Sequence, residues 1–368
     1  MDTQSPGLKF AAIGHQDNWD KVLRFVNTMR DSSAVSSLSL EQIKEVYGFI
    51  PPRSIFDVSM ESAITGTCEG VYIETFISPD ELDAKHLRYN LDKVKEACQY
   101  AASLKIPVVS LGGFSSIILE NSGCPLTHIG DTFFTTGNTL TAAFIVEGVE
   151  KACRYWNQSL QHSTVLVIGA TGDIGSACSR YFAEKAKGLL LCARQPGPLQ
   201  QLATSLKGKA TIECSTDMMQ LMPKADIVIG VASSILDNCN LSLLPPHAII
   251  CDAGYPKNIY RAINDHERRI FSGGMGIVER GYRFDPDYTD DLYRFAVKNA
   301  VHGCLLEAIV LAMEGIPKAY STGRGNITIA AMEYILGIAA NHGVVSAPLF
   351  SSEGVCELTE QNYQHERA

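Results

Sequence analysis

One stretch narrows the fold of this 368-residue chain more than any other: Thr164–Cys178, TVLVIGATGDIGSAC. An apolar run of strand length leads into glycines at 169, 172 and 175, and a helix-forming segment follows. The first glycine permits a tight turn. The second lets backbone approach a pyrophosphate, and the third lets the helix lie close on the strand. Backbone N–H groups at the start of such a helix face an anion. Glycine spacing alone is a weak signal, but further apolar runs begin near Gly188, Ala210, Asp226, Ala248 and Ile270. Segments such as GSACSRYFAEKAK and PLQQLATSLKGK separate them. Strands alternating with helices predict a parallel sheet covered on both faces, and continuous apolar strands fit that burial. The expected fold class is α/β, with a central doubly wound sheet of the Rossmann type.

Such a sheet binds its dinucleotide at the carboxyl ends of the strands. The candidate cofactor residues are Gly169, Thr171, Gly172, Asp173, Ile174 and Gly175 in the turn. Ala232 and Ser233 follow the fourth strand, Gly254 follows the fifth, and Gly274 lies beyond the sixth. The second strand, GLLLCARQP, ends at Arg194, where an NAD enzyme would carry Asp or Glu to hold the ribose hydroxyls. A cation there suits a 2′-phosphate and predicts NADPH. A solvated loop arginine is the bland alternative.

The chain is too long for one compact core, so it divides. Residues 1–158 are expected to form an N-terminal α/β domain, with strands in GLKFAAIG, GVYIETF and IPVVSLGG and a helix from about Thr139 to Trp156. Residues 159–282 form the nucleotide domain, and 283–368 a C-terminal region that reads as mostly helical. A net charge of −9 argues against nucleic acid as a partner. No apolar run approaches membrane-spanning length, and the start lacks the build of a secretory signal. A cytoplasmic location follows. The eleven cysteines include no CxxC pair, so no metal site is expected, and most of these thiols should be small core groups.

Cys304 is the cysteine that raises a question, at the polar end of the apolar run NAVHGCLLEAIVLAMEG (Asn299–Gly315). By composition alone it is core filler. Other stretches alter that reading. IGH (Ile13–His15), LGGFSSIILEN (Leu111–Asn121), FTTGNT (Phe134–Thr139), VIGATGDIGSA, DAGYPKN (Asp252–Asn258) and GRGNITI (Gly323–Ile329) occur in order along the chain. Together they resemble the long-chain acyl-[acyl-carrier-protein] reductases, over about Phe10 to Pro348. The departures are Leu140, where that family carries His, and GGMGIVERG around Met275.

The resemblance implies NADPH-dependent reduction of an acyl thioester to a fatty aldehyde through a covalent acyl-cysteine, with Cys304 as the matching nucleophile. It implies an acyl carrier protein or coenzyme A thioester as substrate, and an aldehyde-consuming enzyme as a further partner. A thiol of ordinary pKa needs activation at neutral pH. His302 lies two residues away, on a different helix face, so His15 is the better candidate base, or else a structural histidine. The oxyanion formed on attack needs fixed donors, for which Gly112 and Gly113, or Thr136 and Asn138, are the candidates, or else ordinary turn residues. Lys257 lies beyond the fifth strand and is a candidate contributor near the nicotinamide. Lys85, Arg88, Lys93, Lys95 and Lys105 are interspersed with acids and read as a solvated helix face. Two other functions fit the same architecture: an NADP-dependent hydroxy-acid or quinate-type dehydrogenase using Lys257, and a non-catalytic NADPH-binding protein.

Overall fold

The computed structural model describes residues 8–30, 37–82, 85–123, 126–206, 208, 210–232, 240–254, 268–287, 295–352 and 354–356. The strands are β1 (Phe10–Gly14), β2 (Arg53–Ser62), β3 (Gly66–Glu74), β4 (Val108–Leu111), β5 (His128–Ile129) and β6 (Thr132–Thr135). They continue with β7 (Thr164–Ile168), β8 (Gly188–Cys192), β9 (Thr211–Ser215), β10 (Ile227–Gly230), β11 (Ile249–Asp252) and β12 (Arg269–Ser272). Four more matter here: β13 (Met275–Val278), β14 (Tyr282–Asp285), β15 (Ala300–His302) and β16 (Val344–Ser346). The helices are α1 (Trp19–Thr28), α2 (Leu40–Val46), α3 (Leu87–Ser103), α4 (Phe114–Asn121) and α5 (Asn138–Tyr155). Then come α6 (Asp173–Lys185), α7 (Pro196–Ser205), α8 (Met218–Leu221), α9 (Gly303–Met313) and α10 (Ile329–Asn341).

Strands β7 to β12 form one sheet in the order β12-β11-β10-β7-β8-β9, every pair parallel. This is the doubly wound order, in which the strand sequence reverses between β7 and β10 and opens a crevice at their carboxyl ends. Alternate residues of each strand enter opposite cores. Val165, Val167, Leu189, Leu191, Ile227 and Ile229 pack with residues of α5 and α6, while Leu166, Ile168, Leu190 and Val228 pack with Leu221, Met222 and Leu241. All six strands coincide with apolar runs of the sequence; in β7, β8, β10 and β11 burial on both faces leaves no polar alternation to blur them, while edge strand β9 exposes Thr211 and Glu213.

The other large sheet is mixed. Its order is β14-β2-β3-β1-β4-β6-β5, with β3, β1, β4 and β6 parallel and antiparallel strands at both edges. One face carries α3 and α4 through Val94, Ala97, Cys98, Ala101, Ile118 and Leu119. The other face carries α9 through Leu306, Ala308, Ile309, Val310 and Met313. Strand β2 escapes a search for apolar runs because it alternates: Phe56, Val58 and Met60 are buried while Asp57 and Glu61 are exposed. Strands β13, β15 and β16 form a small antiparallel sheet. The region after Tyr282 thus contains strands β14, β15 and β16 as well as the two helices expected there.

Helix α5 joins the two halves. Ala142, Ile145, Val149 and Ala152 are part of the nucleotide-sheet core, whereas Leu140 and Phe144 are part of the core under α9. A helix apolar on nearly every face is one buried between two layers.

Candidate functional site

Cys304 is the second residue of α9, which begins directly after β15. Close backbone packing fixes its position. The Gly303 N–H donates to the Gly274 carbonyl at 2.9 Å, and Ser110 Oγ donates to the Cys304 carbonyl at 2.5 Å. Gly137 has φ +74°, and a Cβ there would overlap the Cα and carbonyl of Cys304. Gly112 lies on the other flank, where a Cβ would come to 3.0 Å from the Leu305 side chain. Three segments distant in sequence thus grip the start of one helix.

As a residue Cys304 is half-buried, while its sulfur lies within the packed interior. Burial of the sulfur pushes its pKa up. N–H groups of Gly113, Leu305 and Cys304 itself pull it down, and the charge of Glu307 adds a further rise. Gly113 leads into α4 with φ +53°, so this donor comes from a different element than the sulfur it serves. Buried thiols elsewhere show what the surroundings change: burial pushes Cys68 to about 12, and Cys153 and Cys192 to about 11.

Glu307, one turn beyond Cys304, is fully buried. Its carboxylate accepts Thr135 Oγ1 at 2.5 Å, Ser321 Oγ at 2.6 Å and the Leu140 N–H at 2.9 Å. Burial pushes its pKa up against those donors. Ser321 also donates its N–H to Thr135 Oγ1 at 2.9 Å, and its Oγ accepts the Thr139 N–H at 3.0 Å. Glu307 therefore ties α9, the end of β6, the start of α5 and the 321–328 loop into one knot. Neither Glu307 nor Ser321 was assigned a role from sequence. A lone Glu inside LLEAIVLAM was the available signal, because a charge in an otherwise apolar helix must find partners.

The nucleotide loop has the build its spacing predicts. Gly169 sits at φ +93° and donates to the Cys192 carbonyl at 2.9 Å. A Cβ on Gly169 would stand 3.0 Å from the Ala232 nitrogen, and one on Gly175 would overlap the Gly169 carbonyl. Gly172 precedes α6 with no side chain capping the helix. The first N–H groups of α6 are thus left to an anion at the carboxyl edge of β7. Thr171 and Ile174 are half-buried beside the turn, and Asp173 is buried at the helix start. Arg194 is exposed two residues after β8. These residues fit a dinucleotide with a phosphorylated ribose.

Asp173 does more than begin a helix. Its Oδ1 accepts the Gly325 N–H at 2.8 Å and its Oδ2 accepts Asn138 Nδ2 at 3.0 Å. Asn138 Nδ2 also donates to Glu120 Oε1 at 3.1 Å. Arg180 of α6 holds the same loop through the Gly325 and Ile327 carbonyls, at 2.8 and 3.0 Å.

The remaining candidates divide. His15 follows β1, its ring edge-on to Phe114 at 5.9 Å, and burial lowers its pKa to about 4. It is a neutral imidazole at pH 7. The chain after Ile13 lies beside the Gly112 turn, whose N–H donates to the Ile13 carbonyl at 3.0 Å. With that bond made, and the Thr136 N–H given to the Ser321 carbonyl at 3.1 Å, neither Gly112 nor Thr136 offers its N–H to an oxyanion in this conformation. Gly113 is the proposed donor that reaches the sulfur, while the side chain of Asn138 serves the two carboxylates. Gly274 has φ +71°, packs on Thr141, and orients α9 through its carbonyl rather than facing the turn at Gly169. Gly254 is buried after β11, and Ala232 is half-buried beside Gly169. Ser233 and Lys257 lie outside the described residues. Lys93 is no part of a solvated face, since its amine donates to the Ile50 carbonyl at 2.7 Å.

Comparison with known proteins gives the following matches. A family model described as Shikimate / quinate 5-dehydrogenase matches residues 150–271. A long-chain acyl-[acyl-carrier-protein] reductase from Synechococcus elongatus is 32% identical over 315 residues, covering 82% of this chain and 90% of that protein. The aminotransferase PigE from Serratia sp. is 25% identical over 306 residues, and this chain spans about a third of it (34%). Among solved structures, L-tryptophan dehydrogenase from Nostoc punctiforme aligns over 92% of this chain and 80% of its own, at 14% identity and a TM-score of 0.38.

Proposed function

Since this chain belongs to the long-chain acyl-[acyl-carrier-protein] reductase family, we propose that it reduces a fatty acyl thioester to the aldehyde with Cys304 as the acyl-carrying nucleophile. The observation that carries this reading is the placement of Cys304 at the start of α9, where Gly113 from another element turns its N–H toward the sulfur. A core cysteine needs no such donor.

The sulfur attacks the thioester carbonyl, a new S–C bond forms, and the carrier thiol leaves with a proton. Because burial and Glu307 hold the resting thiol protonated, the proton must leave as the S–C bond forms. Leaving as that bond forms, the proton spares the site a full thiolate beside Glu307, and the acyl-enzyme is neutral at sulfur. N–H groups of Gly113 and Leu305 reach the sulfur, so the same donors would stand near a carbonyl bonded to it, and donors fixed in a low-dielectric site cost no reorganisation. NADPH, held by Gly169, Gly172, Gly175 and the first N–H groups of α6 with Arg194 toward the 2′-phosphate, supplies the hydride. When the aldehyde departs, the same sulfur is the leaving group. Neutral His15 is suited to accept a proton briefly rather than to hold one.

In this reading residues 1–158 bind the acyl chain, 159–282 hold the nucleotide and 283–368 carry the nucleophile. The thioester arrives on an acyl carrier protein or on coenzyme A, and an aldehyde-consuming enzyme follows. Among the described residues no helix is long and apolar enough to cross a membrane. We place the reaction in the cytoplasm, where the free thiols remain reduced. The match to the shikimate and quinate dehydrogenase model ends at residue 271, short of Cys304, and so concerns the nucleotide half.

The test is intact mass after incubation with a long-chain acyl thioester and no nucleotide. One acyl group should add to the wild type and none to Cys304→Ala, whose aldehyde production should fall by at least about 1000-fold. Aldehyde formation surviving in the variant would defeat the mechanism.

A further inference from the structure

Two carboxylates meet on a single amide nitrogen at the start of α6. Asn138 Nδ2 donates to Glu120 Oε1 at 3.1 Å and to Asp173 Oδ2 at 3.0 Å. Glu120 comes from the last turn of α4, Asn138 is the first residue of α5, and Asp173 is the first residue of α6. An amide nitrogen has two hydrogens, so each carboxylate receives one. Asp173 gains a second N–H from Gly325 at 2.8 Å, whereas Glu120 shares in Asn138 alone among these donors. The charged groups facing the pair are Arg324 from the 321–328 loop, Arg180 on α6 and Glu307 on α9. Two like charges so placed repel, and Glu120 is pushed up to about 7 by burial first and by Asp173 second.

The same helix start is where the nucleotide phosphates are proposed to bind. A pyrophosphate there adds negative charge beside Asp173, and a carboxyl next to added negative charge holds its proton more firmly. Burial pushes the Asp173 carboxyl up too, but N–H groups of Asn138 and Gly325 and the charges of Arg180 and Arg324 oppose that rise, which makes Asp173 the poorer site for that proton. We propose that Glu120 takes up a proton from solvent as NADPH binds, and holds it beside Asp173 through Asn138. This inference rests on the nucleotide site of the function proposed above.

Proton uptake couples nucleotide affinity to pH. The bound form prefers protonated Glu120, so affinity falls as pH rises through the free-state titration near 7. The overall reduction also consumes one proton, since thioester, NADPH and H⁺ give aldehyde, NADP⁺ and thiol. Glu120 acts through Asn138 and Asp173, which makes it a positioning residue.

The experiment is calorimetric titration of the full chain with NADPH in buffers of differing ionisation enthalpy, without acyl substrate, for wild type and Glu120→Gln. Gln keeps an oxygen for Asn138 and removes the titration. Wild type should take up about half a proton per nucleotide near pH 7.5, and its affinity should weaken about tenfold between pH 6.5 and 8.5. The variant should lose both effects, and the nucleotide's own 2′-phosphate titration cancels in the difference. Infrared difference spectra of the wild type should gain a carboxylic acid band on binding, which checks the assignment even if the variant folds poorly. Equal proton uptake in both proteins, or no such band, overturns the inference alone. Failure of the wild type to bind NADPH overturns both it and the proposed function.

Discussion

The nucleotide sheet takes all its strands from one unbroken stretch, Thr164 to Ser272, while the cysteine site is gathered from Ser110–Gly113, Thr135–Leu140, Gly303–Glu307 and Ser321. In the first region one sheet and its turns supply the whole site, and the glycines clear space inside it: Gly175 yields to the Gly169 carbonyl and Gly169 to Ala232. In the second, glycines admit elements far away in the sequence: Gly137 yields to the backbone of Cys304 and Gly112 to Leu305. The same residue type thus tightens a loop locally in one region and seats a distant helix in the other. Placing a sulfur is a long-range task; placing a phosphate is a local one.

Crossed substitutions at two glycines should separate the regions most sharply. Gly137→Ala pushes a methyl into the Cys304 backbone from a left-handed conformation. Displacing the nucleophile should slow acylation about 100-fold while leaving NADPH affinity within about twofold. Gly175→Ala pushes a methyl into the Gly169 carbonyl. It should weaken NADPH binding by about tenfold or more yet spare acylation in the absence of nucleotide. Mass-spectrometric acylation rates and NADPH fluorescence titration read the two effects. Equal loss of both activities in either variant would erase the distinction.

Glu307→Gln probes the long-range region alone, with a smaller effect. Gln offers an N–H₂ where three donors converge, so stability should fall by about 1–3 kcal/mol. Removing the charge that raises the Cys304 pKa should shift the pH dependence of thiol alkylation to lower pH. A shift upward would mean that Glu307 assists the thiolate.

The smallest effect concerns stability against pH. His15 is held at about 4 against 6.5 for the free side chain, chiefly by burial. Between those values the unfolded chain binds a proton that the folded chain refuses, so stability is full above about 6.5 and declines as pH falls toward 4. Thermal unfolding of His15→Gln should show a shallower acid decline than the wild type. Glu74 acts in the opposite sense. Burial raises it to about 7, and the folded chain keeps a proton that the unfolded chain loses, so its contribution declines as pH rises from about 4.5 to 7.

What could be read from the sequence follows the same divide. Strands β7, β8, β10 and β11 are largely continuous apolar runs closed by turn residues, β9 and β12 at the sheet edges mix in polar residues, and each of the six coincides with a run in the sequence. Strands β1, β3 and β4 were legible for the same reason. Strand β2 was not, since half its residues face outward, and β14 could not be foreseen because its partner lies more than two hundred residues earlier. Cys304 was found through resemblance, not periodicity. The residues that hold it, Ser110, Gly137, Glu307 and Ser321, carry no spacing signal because their contacts span up to 194 positions. Asp173 was read as a cofactor-binding residue, and its bonds to Asn138 and Gly325 depend on how α5, α6 and the 321–328 loop converge.

The 321–328 loop touches Glu307 at one end and Asp173 four residues later. A protein engineer hoping to graft this nucleotide half onto another catalytic half would cut through that span wherever the seam was drawn. Any working chimera must import the loop together with both of its anchors, Glu307 and Asp173, as a matched set. Exchange between relatives in evolution meets the same obstacle, so sequence is free to diversify away from that joint more readily than at it.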